Sequence, residues 1–399
     1  MRFVTGIDIG TGYVRVVVGS MTVEGGINVV GYKEVESAGM RRGIVSDLAG
    51  PATAMDLALK EAETMSGCRI DTAVVSVNGV HLLSTKTEGM IAVGGAEHEI
   101  TRDDLGRVDE MATTGKLPAN RRILDLVPYS YALDGQGGIK DPLGMMGARL
   151  EIKASVVSGL VPYCAGVVKA AEGAAVAVER LIPSVMAAAK TVLSERQKEN
   201  GVAVVDIGSA TIGVAVYDNG DLQYVGVVEQ GSNDITKDLA MVLKTDLEIA
   251  EEVKRRFVTA AFNGSDKNIV IKRGRDETSF TRADVDEIVE ARLEEMFMAV
   301  RRKLKEAGYD RKLPEGLVLT GGGANLRDIE TYAREKVELM ARVGVPVKLG
   351  GLGDALEKPE WAGAVGLMLS GAGSEEVSVR KKSKSGGVSG FLKRIFSKF

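Results

Sequence analysis

The chain opens with a run rich in Val and Ile at residues 3 to 9, and a second such run follows at 14 to 18. They flank Gly10-Thr11-Gly12, so the pattern predicts two buried strands joined by a tight turn. A third strand is expected at 27 to 31, after the turn at Glu24-Gly25-Gly26. The same order returns after residue 201. An apolar run at 202 to 207 meets the turn Gly208-Ser209-Ala210-Thr211, a run at 213 to 217 meets Asp218-Asn219-Gly220, and a third run spans 222 to 228. Both copies place Asp-Ile-Gly at the end of the first run, led by Asp8 and by Asp206, which predicts an internal duplication.

Between the copies, "PATAMDLALKEAETMSG" has helical spacing and "TAVVSVNGV" reads as a buried strand. The alanine-rich run from 163 to 199 carries two helical patterns broken near Pro183. Residues 84 to 159 depart from this scheme. They predict a helix from Thr101, with Thr101 and Asp104 as a capping box, and a strand in which Leu150, Ile152, Ala154 and Val156 share one face. We read this segment as an inserted subdomain. A long helix is predicted from 281 to about 307, apolar at Val285, Val289, Leu293, Met296 and Val300 and ended by Gly308; the mixed charges on its other face read as a solvated surface.

Composition narrows the class. With 399 residues, 45% of them apolar, the chain is long enough for two or more domains with separate cores. A net charge of −4 excludes a nucleic-acid binder with a uniformly basic surface. Cys68, Cys164, His81 and His98 form no metal-ligand spacing, and so few cysteines fit a reducing cytosol. The first strand starts at once after Met1-Arg2, and no stretch reaches 18 apolar residues, so the expectation is a chain neither secreted nor membrane-spanning.

Strand-turn-strand hairpins with small turn residues expose backbone N–H groups that can point at phosphate oxygens. One such turn is an ordinary turn. Two in matching context suggest a clamp on a polyphosphate, with Asp8 and Asp206 holding Mg²⁺ through water. In "EGLVLTGGGANLRDIETYA", a buried strand runs into three glycines and then a helix expected to start near Asn325, where a base or ribose can lie directly on backbone.

Together, in this order, these motifs resemble the actin-like ATPase superfamily. Within it the chain resembles the FtsA family of bacterial cell-division proteins, through "GIDIGTGYVRVVVG", "SAGMRRGIVSDL", "GIKDPLGMMGARL", "VVDIGSATIGVAVYDNG", "LVLTGGGANL" and "AVGLML". The resemblance implies an α/β fold of two duplicated domains around an ATP cleft, with an inserted FtsA-type subdomain 1C. It divides the chain into domain 1A at 1–83 and 160–200, subdomain 1C at 84–159, domain 2 at 201–370 with its 2B part at about 232–310, a linker at 371–387 and a terminal helix at 388–399. ATP and Mg²⁺ are the implied cofactors. Gly10, Thr11, Gly12 and Tyr13 would contact the phosphates from one side, and Gly208, Ser209, Ala210, Thr211 and Gly231 from the other. Asp8 and Asp206 would lie near the metal. Glu251 and Lys254 would bracket the adenosine opposite Gly321, Gly322, Gly323 and Asn325. One departure stands out: Ser209 and Ala210 replace two glycines of the family's second turn, and Gly213 replaces an Asp. Added Cβ atoms are expected to restrict positive φ and close approach, so weak or no ATP turnover is expected.

After Ser370 the composition turns to Gly, Ser and Lys, which reads as a flexible linker. In "VSGFLKRIFSKF", Val388, Phe391, Leu392, Ile395, Phe396 and Phe399 make one helical stripe opposite Lys393, Arg394 and Lys398. An aromatic stripe with a basic face fits the interface of an anionic bilayer, helped by Arg380, Lys381, Lys382 and Lys384. The family resemblance implies a tail that attaches filaments of FtsZ, held by their C-terminal peptide, to the cytoplasmic face of the cell membrane at the division site. It further implies filaments of the protein itself and recruitment of later divisome proteins, with no nucleic-acid partner. Two alternatives remain open at this point. One is the pilus-assembly protein PilM, which ordinarily lacks such a tail, and the other is a soluble kinase of the superfamily, which needs a catalytic carboxylate for which the sequence offers no distinctive candidate.

Overall fold

The computed structural model describes residues 2–23, 25–94, 98–262, 268–273 and 276–372. The first hairpin forms as the pattern predicts, with Phe3–Ile9 antiparallel to Tyr13–Met21 and Asp8 opposite Arg15. The third strand, Ile27–Glu36, is longer than expected, because it pairs with the second strand along its length, out to Glu36 opposite Tyr13. Thr72–Val77 and Ala177–Pro183 add two parallel strands on the other side of Phe3–Ile9.

The second sheet repeats this arrangement. Val202–Ile207 pairs antiparallel with Ile212–Asp218, which pairs with Asp221–Val228, while Leu317–Thr320 and Ala341–Val343 add in parallel. Each sheet is covered on both faces, which explains why its central strands are nearly all Val, Ile and Ala. In the first sheet Ile7, Ile9, Val14 and Val16 pack on the helices Ala49–Ser66 and Val161–Gly173. In the second, Val205, Ile207, Ile212 and Val214 pack on Ser232–Val242, Leu247–Phe257 and Arg282–Glu306. That last helix has Thr281 as its cap and Gly308 just beyond its end, as predicted.

Two further helices fill the space between the sheets. Ala362–Ala372 lies on the first sheet, where Gly6 admits it: a Cβ on Gly6 would fall 2.4 Å from the Ala364 carbonyl oxygen. Ser184–Val192 lies on the second, where a Cβ on Gly213 would fall 2.8 Å from Val185 Cβ. The two helices meet at Gly366, whose absent Cβ would sit 1.8 Å from the Ala187 carbonyl oxygen.

The inserted segment folds on its own sheet, in the order Leu83–Ala92, Arg149–Leu160, Arg121–Leu133, Gln136–Ile139. Its helix, Arg102–Thr113, has the expected capping box of Thr101 and Asp104. Leu150, Ile152 and Ala154 face that helix in a separate core, while Val156 is buried outside it. The insert also touches the second lobe, where the Val225 N–H donates to Ser84 Oγ at 2.8 Å.

Three expectations are corrected. Ala177–Pro183 is a strand within the run read as two interrupted helices; only its parallel pairing with Thr72–Val77, remote in sequence, sets its conformation. The end of the segment 201–370 returns to the first lobe, with Gly350 beside Asn28 and with Leu356, Trp361, Val365 and Met368 packed on Val4, Val17 and Val29. Gly371 and Ala372, expected to begin the linker, complete the last helix because the apolar face of that helix extends through them. The rest of that linker and the amphipathic segment 388–399 lie outside the described residues. Among the described residues no helix is long and apolar enough to cross a membrane.

The central contact gives a direct test. Gly366→Ala forces two backbones apart and is expected to lower the unfolding free energy by about 2 kcal/mol. Gly371→Ala, whose Cβ would meet only ordinary contacts from 3.5 Å, leaves it unchanged or slightly higher. Denaturant unfolding of both variants checks this.

Candidate functional site

Because both sheets are built alike and face the same pair of helices, their first turns point into one cleft. In one turn the Gly10 N–H donates to the Tyr13 carbonyl at 2.9 Å, and in the other the Gly208 N–H donates to Thr211 at 2.9 Å. The turns nearly touch, since a Cβ on Gly12 would lie 3.0 Å from Ser209 Oγ. Behind the second turn, the N–H groups of Ser232 and Asn233 at the start of the Ser232–Val242 helix donate to the carbonyls of Gly208 and Ser209 at 2.9 and 2.8 Å. Those bonds tie the turn to the start of that helix.

The cleft encloses about 990 Å³, enough for a nucleotide. Asp8, Gly10, Thr11, Gly12 and Tyr13 line it from the first lobe, and Asp206, Gly208, Ser209 and Thr211 from the second. Glu251 and Lys254 stand on one helix, with Gly321, Gly322, Gly323 and Asn325 on another wall of the same cleft. Two expected residues do not line it. Ala210 is buried with its side chain outside the cleft, and Gly231 packs behind the turn, where a Cβ would lie 2.5 Å from the Ala210 nitrogen. The three glycines differ in their reasons. Gly321 has φ 80° and lies against Asp206, Gly323 lies against Ile207, and only Gly322 is open, with nothing nearer than 4.0 Å. A 3-10 turn at Gly322–Asn325 replaces the helix expected near Asn325, which begins at Ile329 because Asp328 takes a left-handed φ of 62°.

At the floor lie the two carboxylates, each beside the start of a central helix. Ser184 Oγ donates to Asp206 Oδ2 at 3.2 Å, and a Cβ on Gly363 would sit 2.8 Å from Asp8 Oδ2. Helix N-termini favour negative charge. Even so, burial and the neighbouring Asp8 push the Asp206 carboxyl up to about 6. Asp8 Oδ1 is buried without a hydrogen-bond partner. Two repelling carboxylates, one with an orphaned oxygen, fit a divalent cation of the Mg²⁺ kind, which takes one or two carboxylates and completes its shell with water and phosphate. Among the described residues no three such side chains converge, so an all-protein metal cage is not what this floor offers.

Arg15, across the hairpin from Asp8, was missed by the sequence reading. It bonds Glu34 at 2.5 Å, its Nε is buried without a partner, and it lines the cleft. The available signal was a lone cation in an otherwise apolar strand, paired with the Asp of the Asp-Ile-Gly motif. Lys237, Arg255 and Arg327 also line the cleft. Arg255 reaches across it, donating to the Tyr13 hydroxyl at 3.1 Å. On the far wall Lys254 Nζ contacts Glu251 at 2.6 Å and Thr236 Oγ1 at 2.8 Å. Burial draws the Lys254 ammonium below its ordinary value, against the pull of Glu251. Burial alone would raise the Glu251 carboxyl, but bonds from Lys254, Thr236 and Arg255 bring it below the usual range.

Comparison with known proteins agrees with this architecture. Residues 79–158 match the model of an SHS2 domain inserted in FtsA, and 203–366 match that of cell division protein FtsA. The cell division protein FtsA of Pseudomonas aeruginosa is 33% identical over 93% of this chain and 89% of its own length. The chain belongs to the FtsA family. The Escherichia coli K12 FtsA is 31% identical over 99% of this chain and 97% of its own. In solved structures the fold recurs in a PilM-PilN type IV pilus biogenesis complex, at 18% identity and TM-score 0.67 over 92% of this chain and 98% of that one. It recurs in Spiroplasma citri MreB5 bound to ADP, at 12% identity and TM-score 0.53 over 97% and 99%. These likenesses establish the actin-like fold, and the FtsA relatives establish a cell-division protein. An FtsA chain is accordingly preferred to a pilus-assembly protein or a kinase.

The concern raised by the FtsA turn is corrected in part. Neither Ser209 nor Ala210 has positive φ, so their Cβ atoms strain nothing. The carboxylate pair yields a pH prediction. A carboxyl raised in the folded state stabilises the fold relative to its ionised form below about 3.8, and that contribution is lost as pH rises through about 6. Asp206→Asn is therefore expected to raise stability at pH 7.5 by about 3 kcal/mol. The gain should vanish near pH 4, which denaturant unfolding at both values checks.

Proposed function

We propose that this FtsA protein binds ATP with Mg²⁺ between its two lobes, assembles with copies of itself, and links FtsZ filaments to the cytoplasmic face of the cell membrane at the division site. The observation that carries the nucleotide reading is the pair of matched turns over an under-coordinated carboxylate floor. In this reading Gly10 and Gly208 close the two turns with their own N–H groups, and the backbone of Thr11, Gly12 and Tyr13 on one side and of Ser209 and Thr211 on the other faces the phosphates. Arg15 supplies a cation beside them, and Gly231 supports the second turn from behind.

The adenosine rests between Glu251 with Lys254 and the bare backbone of Gly322, beside Asn325, whose amide is held by Glu360 at 2.8 Å. Asp8 and Asp206 hold Mg²⁺ through water. When bound, the metal offsets the polyphosphate charge. Gly213 stands in register opposite Asp206 and brings no carboxylate, which supports weak or absent turnover.

The membrane part of the proposal rests on the sequence of 388–399, with its apolar stripe and basic face. The FtsZ C-terminal peptide and later divisome proteins are the partners this role requires. Filament-forming relatives of the same fold, such as the MamK double helical filament at TM-score 0.52, support self-assembly.

One experiment tests both ends. The full chain and a chain ending at residue 387 are titrated with fluorescent ATP and Mg²⁺ and sedimented with anionic liposomes. Both are expected to bind ATP, and only the full chain to sediment with lipid. Equal sedimentation of the two removes the tail's role, and absence of ATP binding in both removes the cleft's. Arg15→Ala is further expected to weaken ATP binding by roughly tenfold, the loss of one charge-assisted bond.

A further inference from the structure

The segment "GMRRGIVSDL" touches the cleft only at Gly43. Met40–Arg41 and Ile44–Val45 pair as a short antiparallel ladder, so Arg42 and Gly43 form its two-residue turn, with φ of 49° and 80°. A turn of that hand favours Asn or Gly at its first position. An arginine there departs from the local rule, and such outliers persist where their surroundings hold them.

The surroundings here are on both sides of the cleft. Gly43 N–H donates to Thr11 Oγ1 at 2.9 Å, and a Cβ on Gly43 would lie 2.8 Å from the Gly79 nitrogen. Arg42 Nη1 lies 3.1 Å from the Glu229 carboxylate in the second lobe. Glu229 directly follows the strand Asp221–Val228 and precedes Gly231, which packs under the second turn. The base of the loop is fixed as well, since Ser46 and Asp47 N–H donate to Gly39 at 2.8 and 3.0 Å and the Asp47 carboxylate accepts from Gly50 N–H at 3.0 Å.

The hydroxyl of Thr11 already accepts from Gly43, so its own proton is turned elsewhere, and Thr11 lines the cleft beside the point where the two turns converge. We propose that this loop lets the cleft tell a nucleoside triphosphate from a diphosphate: Gly43 directs the Thr11 proton toward the terminal phosphate, and Arg42 ties the same loop to the second lobe through Glu229. This rests on the ATP reading of the cleft and deepens it. Arg42 and Gly43 are positioning residues. The ion pair joins closure of the lobes to the turn that grips the last phosphate.

The test measures ATP and ADP affinity with Mg²⁺ by calorimetry on the full chain, for the natural protein, Arg42→Ala, Glu229→Ala and the exchanged pair Arg42→Glu with Glu229→Arg. Each single change is expected to lower the ATP-to-ADP affinity ratio by roughly two- to fivefold, the scale of a half-exposed ion pair. ADP affinity and melting temperature should hold, and the exchanged pair should restore the ratio. Parallel loss for both nucleotides, or an unchanged ratio, overturns the proposal while leaving the ATP reading intact. Failure of the natural protein to bind either nucleotide overturns the ATP reading and this inference with it.

Discussion

The approach of Gly366 to the carbonyl of Ala187 sets the separation of the two sheets, and the cleft follows from it. Each of the two central helices sits on a glycine in the strand beneath it, Gly6 on one side and Gly213 on the other. With no Cβ at any of the three contacts, Gly366 and Gly6 meet helix backbone directly, and Gly213 makes room for the Val185 side chain. That brings the ends of two equivalent strands, and therefore Asp8 and Asp206, to the starts of the same pair of helices. A bulkier residue at any of these positions would move one carboxylate relative to the other before it touched a ligand.

The floor so assembled is poised for a cation. Two carboxylates are taken out of water close together, and neither gains a full ion pair: Asp206 has one hydroxyl, and Asp8 Oδ1 has no partner. Burial and the neighbouring Asp8 push the Asp206 carboxyl upward for that reason. The helix N-termini offset part of it and cannot remove it, because their partial charge is shared along the first turn. An arrangement tolerated at the expense of stability, in a cleft that also holds the unpaired Nε of Arg15, fits a charged ligand far better than it fits a structural role.

How much of this was legible in the sequence depended on range. The duplicated hairpins, the capping box at Thr101 and the long helix ended by Gly308 were readable because period, cap and turn residues act within a few positions. Ala177–Pro183 was not, since its exposed outer residues give no clean alternation and its conformation comes from a distant strand. The return of 350–372 to the first lobe was hidden for the same reason. In the cleft, the sequence motifs named residues of both turns, the floor and the far wall, yet Ala210 and Gly231 proved to lie outside its lining. Arg15 escaped notice because a single cation in a strand carries no motif, although its register opposite Asp8 is what makes it chemically relevant.

The same geometry separates Ser209 from Ala210, the two positions where the resemblance implies glycine. Ala210 is buried, lies outside the cleft lining and has no positive φ, so glycine is not required there. Ser209 is different: its hydroxyl lies in the narrow gap opposite Gly12, is buried without a partner, and lines the cleft. A buried hydroxyl of this kind is destabilising unless something accepts its proton or donates to it. Nothing in the first turn does, because Gly12 offers no side chain. The substitution therefore removes no approach to the backbone that matters at 210, and at 209 it exchanges open space for a polar group that only an occupant of the cleft can satisfy.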